Sequence, residues 1–164
     1  MVTSDLGLGL GRIGQLGIVV RDIQASMEHY WSVLGIGPWK VYTNSPPRVT
    51  YHGRPASYRV RVALAHTEAL VYELIQYLEG DSIHRDFLAA QGEGIEHLGI
   101  YVPNLDEPLA RLRGQGVGVL QSADGLGAKG DGRYVYLDTR AALGVILELI
   151  QAPSERVAPE FTYP

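Results

Sequence analysis

The chain has 164 residues, of which 46% are hydrophobic and 20% charged, with a formal net charge of −4 and no cysteine. That length suits one domain or two small modules sharing a core; the acidic balance argues against nucleic acid as a partner, because a phosphate backbone demands a basic surface; and the missing cysteines remove disulfides, thiolate nucleophiles and Cys-ligated metals together. No apolar run is long enough to span a bilayer, and the N-terminus "MVTSDLGLGL" lacks the basic start of a signal peptide, so the reading is a cytoplasmic protein with no membrane partner.

"IGQLGIVV" (13–20) is short and β-branched and predicts a strand. "DIQASMEHYWSVLG" predicts a helix, with Asp22 as cap, Met27, Tyr30, Trp31 and Leu34 at helical spacing, and Gly35 as stop. "PWKVYT" predicts a strand. "TNSPPRVTYHGRPAS" is proline-rich and polar and predicts a long loop, able to fold over a site as a lid. "YRVRVALAH" alternates and predicts a strand with one wet face; "ALVYELIQYL" predicts a more buried one. The pattern then restarts. "GDSIHRDFLAAQGEG" predicts a linking helix, capped by Asp81 or Ser82 and stopped by Gly92. "GIEHLGIYV" predicts a strand, "NLDEPLARLRGQG" a helix capped by Asn104, and "VGVLQSA" a strand. "DGLGAKGDG" predicts a hairpin turn, and "RYVYLDT" and "ALGVILELIQ" two final strands. The tail "APSERVAPEFTYP" is read as a segment that packs along the domain or a neighbour, or is disordered.

The order is strand, helix, three strands, written twice. "GQLGIVVRDI" aligns with "EHLGIYVPNL", pairing Gln15 with His97 at an offset of 82 residues. "ELIQ" recurs, pairing Glu73 with Glu148 at an offset of 75. Such an internal repeat decides the fold class before any motif does.

Side chains alternate along a strand. Leu16, Ile18 and Val20 form the face that suits a helix, as do Leu98, Ile100 and Val102. Gln15 and His97 then point the other way, each followed two residues later by a glycine (Gly17, Gly99) that leaves volume suited to a ligand. Glu73 shares its face with Val71 and Ile75, and Glu148 with Ile146 and Ile150. Isolated buried carboxylates are costly and protonate; a shared cation keeps them ionised. Gln15, Glu73, His97 and Glu148 therefore read as an N/O ligand set for one divalent metal ion (Zn, Co, Ni, Mn or Fe) with open positions for a substrate. Taken singly, each has a plainer reading, a glutamate on a wet face or a histidine satisfied by a neighbour. Their equivalent positions in two modules favour the shared ion.

On "IGQLGIVVRDIQASMEHYWSVLGIGPW", "GEGIEHLGIYV" and "LGVILELIQ", the chain resembles the vicinal oxygen chelate superfamily, which includes glyoxalase I, methylmalonyl-CoA epimerase, extradiol dioxygenases and antibiotic-resistance proteins. The resemblance covers Ile13 to Gln151. It implies an α+β fold of two tandem strand–helix–three-strand (βαβββ) modules forming an open, cupped, mixed sheet with helices outside. The corresponding division is an N-terminal segment 1–12, modules 13–79 and 94–151, a linking helix 80–93 and a tail 152–164, with 13–151 acting as one domain. The superfamily's ligand positions fall on Gln15, Glu73, His97 and Glu148. That set is similar to the eukaryotic-type glyoxalase I set. The "LGIGPW" turn and the "EGDSIHRDFLAAQGEGIEHLG" linker are closer to methylmalonyl-CoA epimerases, which usually carry His at position 15 and Gln at 73.

The resemblance implies a metal-dependent isomerase or lyase, epimerase- or lactoylglutathione lyase-like, that moves a proton beside the carbonyl of a small metabolite or CoA thioester. Glu148 and Glu73 are then the candidate bases. A metal-free small-molecule binding or resistance protein and a metal-dependent oxygenase stay open as alternatives, as does a homodimer covering the sheet edges. Arg48, Arg54 and Lys129 are available to pair with a substrate anion. His29, His52, His66 and His84 have no partner at metal-ligand spacing. "GLGLGRIG" imitates a dinucleotide fingerprint but precedes a strand instead of following one.

Overall fold

The computed structural model describes residues 12–164. The reading of the first ten residues as no signal peptide, and most of the glycine-rich "GLGLGRIG" stretch, lie outside them.

The first half runs β1 (Ile13–Val20), α1 (Ile23–Leu34), β2 (Trp39–Asn44), β3 (Arg48–Tyr51), β4 (Arg54–Ala56), β5 (Tyr58–His66) and β6 (Val71–Gly80). After α2 (Ile83–Gln91) come β7 (Gly94–Tyr101), α3 (Asp106–Gly114), β8 (Val119–Leu126), β9 (Gly132–Leu137), α4 (Arg140–Leu143), β10 (Ile146–Gln151) and β11 (Phe161–Tyr163). One mixed sheet takes the order β11-β2-β5-β6-β1-β7-β10-β9-β8-β3-β4. In each half the first strand lies parallel beside the last, β1 with β6 and β7 with β10. The halves join through the antiparallel β1–β7 pair. The sheet curls into a half-barrel with its helices outside, the α+β arrangement that the repeat implies.

The helices form where the cap chemistry allows. The Asp22 carboxylate accepts from the Ala25 amide at 3.1 Å, and Gly35 ends α1 in the left-handed region at φ 67°, which only glycine adopts freely. Ser82 caps α2, its hydroxyl accepting from the His84 amide. The Asn104 side chain accepts from the Asp106 amide at 2.7 Å and starts α3.

Two apolar layers hold helices to the convex face. Ile18, Val20, Ile23, Met27, Trp39 and Leu74 cluster under α1, and Ile100, Val102, Leu105, Leu109, Leu112 and Leu149 under α3. Each such side chain contributes about 1.5–3 kcal/mol on full burial. Met27 is the buried contact of α1's central turn, whereas Trp31, Val33 and Leu34 are exposed.

The structure corrects three expectations. The segment read as a lid loop, 43–57, carries the β3–β4 hairpin. Its turn is His52-Gly53, both with positive φ (45° and 77°), and β3 pairs with β8 of the other half. Two positive φ values in a two-residue turn match the twist of a hairpin; Pro55 and the shortness of the strands hid it. Second, β5 keeps no continuous wet face: only Arg59 and His66 are exposed, and Ala63 and Ala65 are buried under α1. Third, the start of "ALGVILELIQ" is the short helix α4, capped by Gly144, before β10 begins. The tail, read as packing along the domain or a neighbour or as disordered, packs along the domain, with β11 paired to β2. Among the described residues no helix is long and apolar enough to cross a membrane.

The hairpin is pinned. The Tyr51 hydroxyl donates to Asp86, Arg85 bonds Asp81 at 2.6 Å and Asp86 at 3.0 Å, and Arg54 bonds Asp81 at 2.8 Å. Arg54 and Arg85 hold the Asp81 carboxyl below the ordinary carboxylate range. Replacing Asp86 by Ala should loosen residues 48–56 and cost about 1–2 kcal/mol. Faster tryptic cleavage after Arg48 than in the parent protein, with a lower urea midpoint, is the expected readout.

Candidate functional site

The concave face brings the four polar residues of the repeat to one place. Across the antiparallel β1–β7 pair, Gln15 lies opposite Gly99 and Gly17 opposite His97. The parallel pairings put Glu73 beside Gly17 and Glu148 beside Gly99. Each half thus contributes a polar residue and a glycine that face the glycine and polar residue of the other.

The glycines are there for steric reasons. A Cβ on Gly17 would stand 1.9 Å from His97 Cε1, and one on Gly99 would stand 2.8 Å from Gln15 Cβ and 3.4 Å from Glu148 Oε2. The space they leave is filled by the polar side chains of the sister strand, not reserved for a ligand. This is the correction to the expectation from sequence.

Glu73, His97 and Glu148 offer ligand atoms that all lie within 4.8 Å of one another. His97 Nε2 is 3.3 Å from Glu73 Oε2 and 3.2 Å from Glu148 Oε2. The fourth residue, Gln15, is buried; its Nε2 donates to Glu73 Oε2 at 2.8 Å and its Oε1 accepts from the Tyr101 hydroxyl at 2.7 Å. Among the described residues, His97 Nε2 and Glu148 Oε2 have no hydrogen-bond partner although both are buried. Two orphaned lone-pair atoms converging with a third donor suit a cation better than they suit each other.

The electrostatics follow from burial. Burial raises the Glu148 carboxyl, and the nearby His97 ring opposes the rise. Burial alone would lower His97, yet Glu148, Glu73 and Glu96 around it hold its pKa well above the ordinary value. Tyr101 is pushed to about 12 by burial and by the charge of Glu73.

Two residues here escaped the reading of the sequence. Glu96 is fully buried, and its Oε2 takes His84 Nδ1 at 2.7 Å and His97 Nδ1 at 3.1 Å. His84, read as having no partner, is therefore held in the interior of the fold. Strict alternation turns Glu96 away from His97. The pairing skips it, however, with Gly17 facing His97 and Ile18 facing Ile95, and such a bulge re-aims a side chain. Nothing in one sequence marks that bulge. Burial would raise Glu96, but His84 and His97 bring its carboxyl down to about 2. The arrangement fixes the His97 ring by its Nδ1 and aims Nε2 at the two glutamates.

Beside this cluster lies a cavity of about 190 Å³, lined among others by Tyr58, Tyr101, Tyr134, Tyr136 and, from the tail, Arg156. The cations expected from sequence are committed elsewhere: Arg54 to Asp81, and Lys129 to Glu155 at 3.5 Å. Arg48 reaches the β8 backbone at Gly125.

The family model described as glyoxalase/bleomycin resistance protein/dioxygenase superfamily matches residues 14–136. The chain belongs to that superfamily. No curated protein matches it. Among solved structures it is similar to a variant of Streptomyces coelicolor methylmalonyl-CoA epimerase in complex with 2-nitronate-propionyl-CoA. The identity is 27% and the TM-score 0.66, over 88% of this chain and 99% of that one. Methylmalonyl-CoA epimerase from Mycobacterium tuberculosis is 26% identical with TM-score 0.63, over 96% of this chain and 93% of that one. A methylmalonyl-CoA epimerase in complex with methylmalonyl-CoA and NH4+ is 25% identical with TM-score 0.65, over 90% and 99%. These likenesses support epimerase-like function at the level of the family.

Two substitutions probe the site's construction. Gly17→Ala should displace the His97 ring and destabilise the fold by about 1–3 kcal/mol. Glu96→Ala should cost about 3 kcal/mol or more, because it strands two buried imidazoles. Urea unfolding of both variants reads these losses directly.

Proposed function

We propose that the protein is a divalent-metal-dependent enzyme that transfers a proton at the carbon next to a carbonyl, as an epimerase or isomerase does. The observation that carries this reading is the convergence of Glu73, His97 and Glu148, with His97 Nε2 and Glu148 Oε2 buried and unsatisfied. A metal-free binding cup would leave those atoms orphaned at a cost of about 1–3 kcal/mol each.

Glu73, His97 and Glu148 would hold the ion. Gln15, whose amide bonds Glu73 and Tyr101, would be the fourth residue to hold it. A bound divalent ion would supply Lewis-acid stabilisation of negative charge developing on a carbonyl oxygen. The remaining work falls to the chain. Tyr101 and Gln15 fix one wall, and the tyrosine-rich cavity excludes water from the reacting carbon. Glu148 is the candidate base, because its buried carboxylate lines the cavity beside the other candidate ligands, within reach of a bound substrate. Glu73 lines the same cavity and is the second candidate for carrying the proton. The epimerase likeness brings CoA thioesters into consideration as substrates alongside small oxo compounds.

Protein purified without chelator should carry about one divalent ion per chain, lost with EDTA and restored on refilling. Deuterium exchange at α-acidic carbonyl compounds, methylmalonyl-CoA included, should depend on that ion. Glu148→Gln should lower the exchange rate about 10²–10⁴-fold and weaken metal retention. Near-normal exchange in that variant would remove Glu148 from the mechanism, and exchange undiminished by EDTA would remove the metal.

A further inference from the structure

The tail after β10 takes a path that the repeat does not require. β10 and β2 are separated by β7, β1, β6 and β5, about 24 Å at the usual strand spacing. Residues 152–160 join β10 to β11, which docks on β2. Because the sheet curls, the segment runs on its concave side, and Ala152, Pro153, Arg156 and Val157 line the cavity. Both ends are tied. The Ala128 amide donates to the Glu155 carbonyl at 2.9 Å, and the Ser154 amide donates to Asp131 at 3.1 Å. At the far end the Glu160 amide donates to the Val41 carbonyl and the Thr43 amide to the Glu160 carboxylate, both at 2.8 Å.

Arg156 sits in the middle of this strap. It lines the cavity together with Tyr101, whose hydroxyl donates to Gln15. Among the described residues no ion pair uses Arg156. Other cations gather at the same rim. On the concave face of the sheet Lys40 lies opposite Leu64, and His66 is the next inward residue along β5. Partial burial, with Arg156 and Lys40 nearby, holds the His66 ring below its ordinary value. The carboxylates of Glu73 and Glu148 line the same cavity. The cavity thus carries a cation from the tail as well as two carboxylates, among tyrosine and aliphatic walls.

Resting on the proton-transfer reading, we propose that Arg156 is the anion-binding residue of the site and that the substrate is a compact carboxylic acid with an apolar, ring-sized body and a separate carbonyl. The carbonyl lies toward Glu73 and Glu148, and the carboxylate toward Arg156. The size agrees: a cavity of about 150 Å³ accepts one benzene ring, and this one measures about 190 Å³.

The probe is 4-oxo-4-phenylbutanoate, which has an enolisable carbonyl, one ring and a distal carboxylate. Butyrophenone, the same skeleton ending in a methyl group, is the uncharged control. Titration calorimetry on the metal-loaded full chain should show the acid binding at least about 10-fold tighter than the ketone, the scale of one charge-assisted hydrogen bond. Arg156→Ala should erase that difference without changing ketone affinity, metal content or melting temperature; Arg156→Lys should retain part of it. Equal binding of acid and ketone by the parent protein, or a preference that survives Arg156→Ala, overturns the proposal. Deuterium exchange at the α-carbon of both probes separates the two ideas. Discrimination through Arg156 without any exchange supports the anion site and counts against the proton-transfer reading. Exchange of both probes without discrimination does the reverse.

Discussion

The structure depends on one steric exchange at the centre of the sheet. Where β1 and β7 meet, each glycine gives up its side-chain volume to a polar residue of the other strand: Gly17 to His97, and Gly99 to Gln15. Gly99 also leaves room for the Glu148 carboxylate. Glycine weakens a strand interior, so its presence at both positions marks a place where two backbones must carry large polar groups toward one point. The apolar layers under α1 and α3 supply the stability that lets the sheet bear this. The repeat makes the arrangement symmetric, and the antiparallel join of its halves turns that symmetry into a single site.

Charge is the second constraint. Glu96, His97 and Glu148 are buried, with Glu73 close beside them. Paired charges in a low dielectric are tolerable only when each has a partner. Glu96 meets that need for two imidazoles at once, and His97 shares it with two further carboxylates. What stays unmet is one imidazole nitrogen, on His97, and one carboxylate oxygen, on Glu148, and Glu148 lines the cavity. The polar network is therefore closed on its inner side by α2 and open on the side where a ligand arrives. The hairpin and the tail border that opening: β3 and β4 extend the sheet beyond β8, and the tail lines the cavity with residues that include the exposed Arg156.

Much of this was legible in the residues. The recurrence of Glu-Leu-Ile-Gln and of the Leu-Gly-Ile core of β1 and β7 gave the two modules. Alternation then put Gln15, His97, Glu73 and Glu148 on the concave face, and the caps Asp22 and Ser82 stand where their chemistry predicts, whereas Asn104 lies one residue before the N-cap Leu105 of α3. The hairpin was missed because its strands are only four and three residues long and one contains proline, so its pairing partner, β8, lies some seventy residues away. Glu96 was missed because a bulge reverses the face that alternation assigns. His84 was missed because its partner is set by the docking of α2, not by spacing along the chain.

Sequence alone determined the modules, their secondary structure and the identity of four polar residues in strands, because those rest on local periodicity and on a repeat that can be read in one dimension. Tertiary structure alone decided which groups touch. It set Glu96 between two histidines, committed Arg54 and Lys129 to carboxylates on the surface, and laid Arg156 over the cavity. Those outcomes depend on strand register, on one bulge and on the path of a tail across the sheet. Such long-range geometry is settled by packing and loop closure, which leave no periodic trace in the order of the residues.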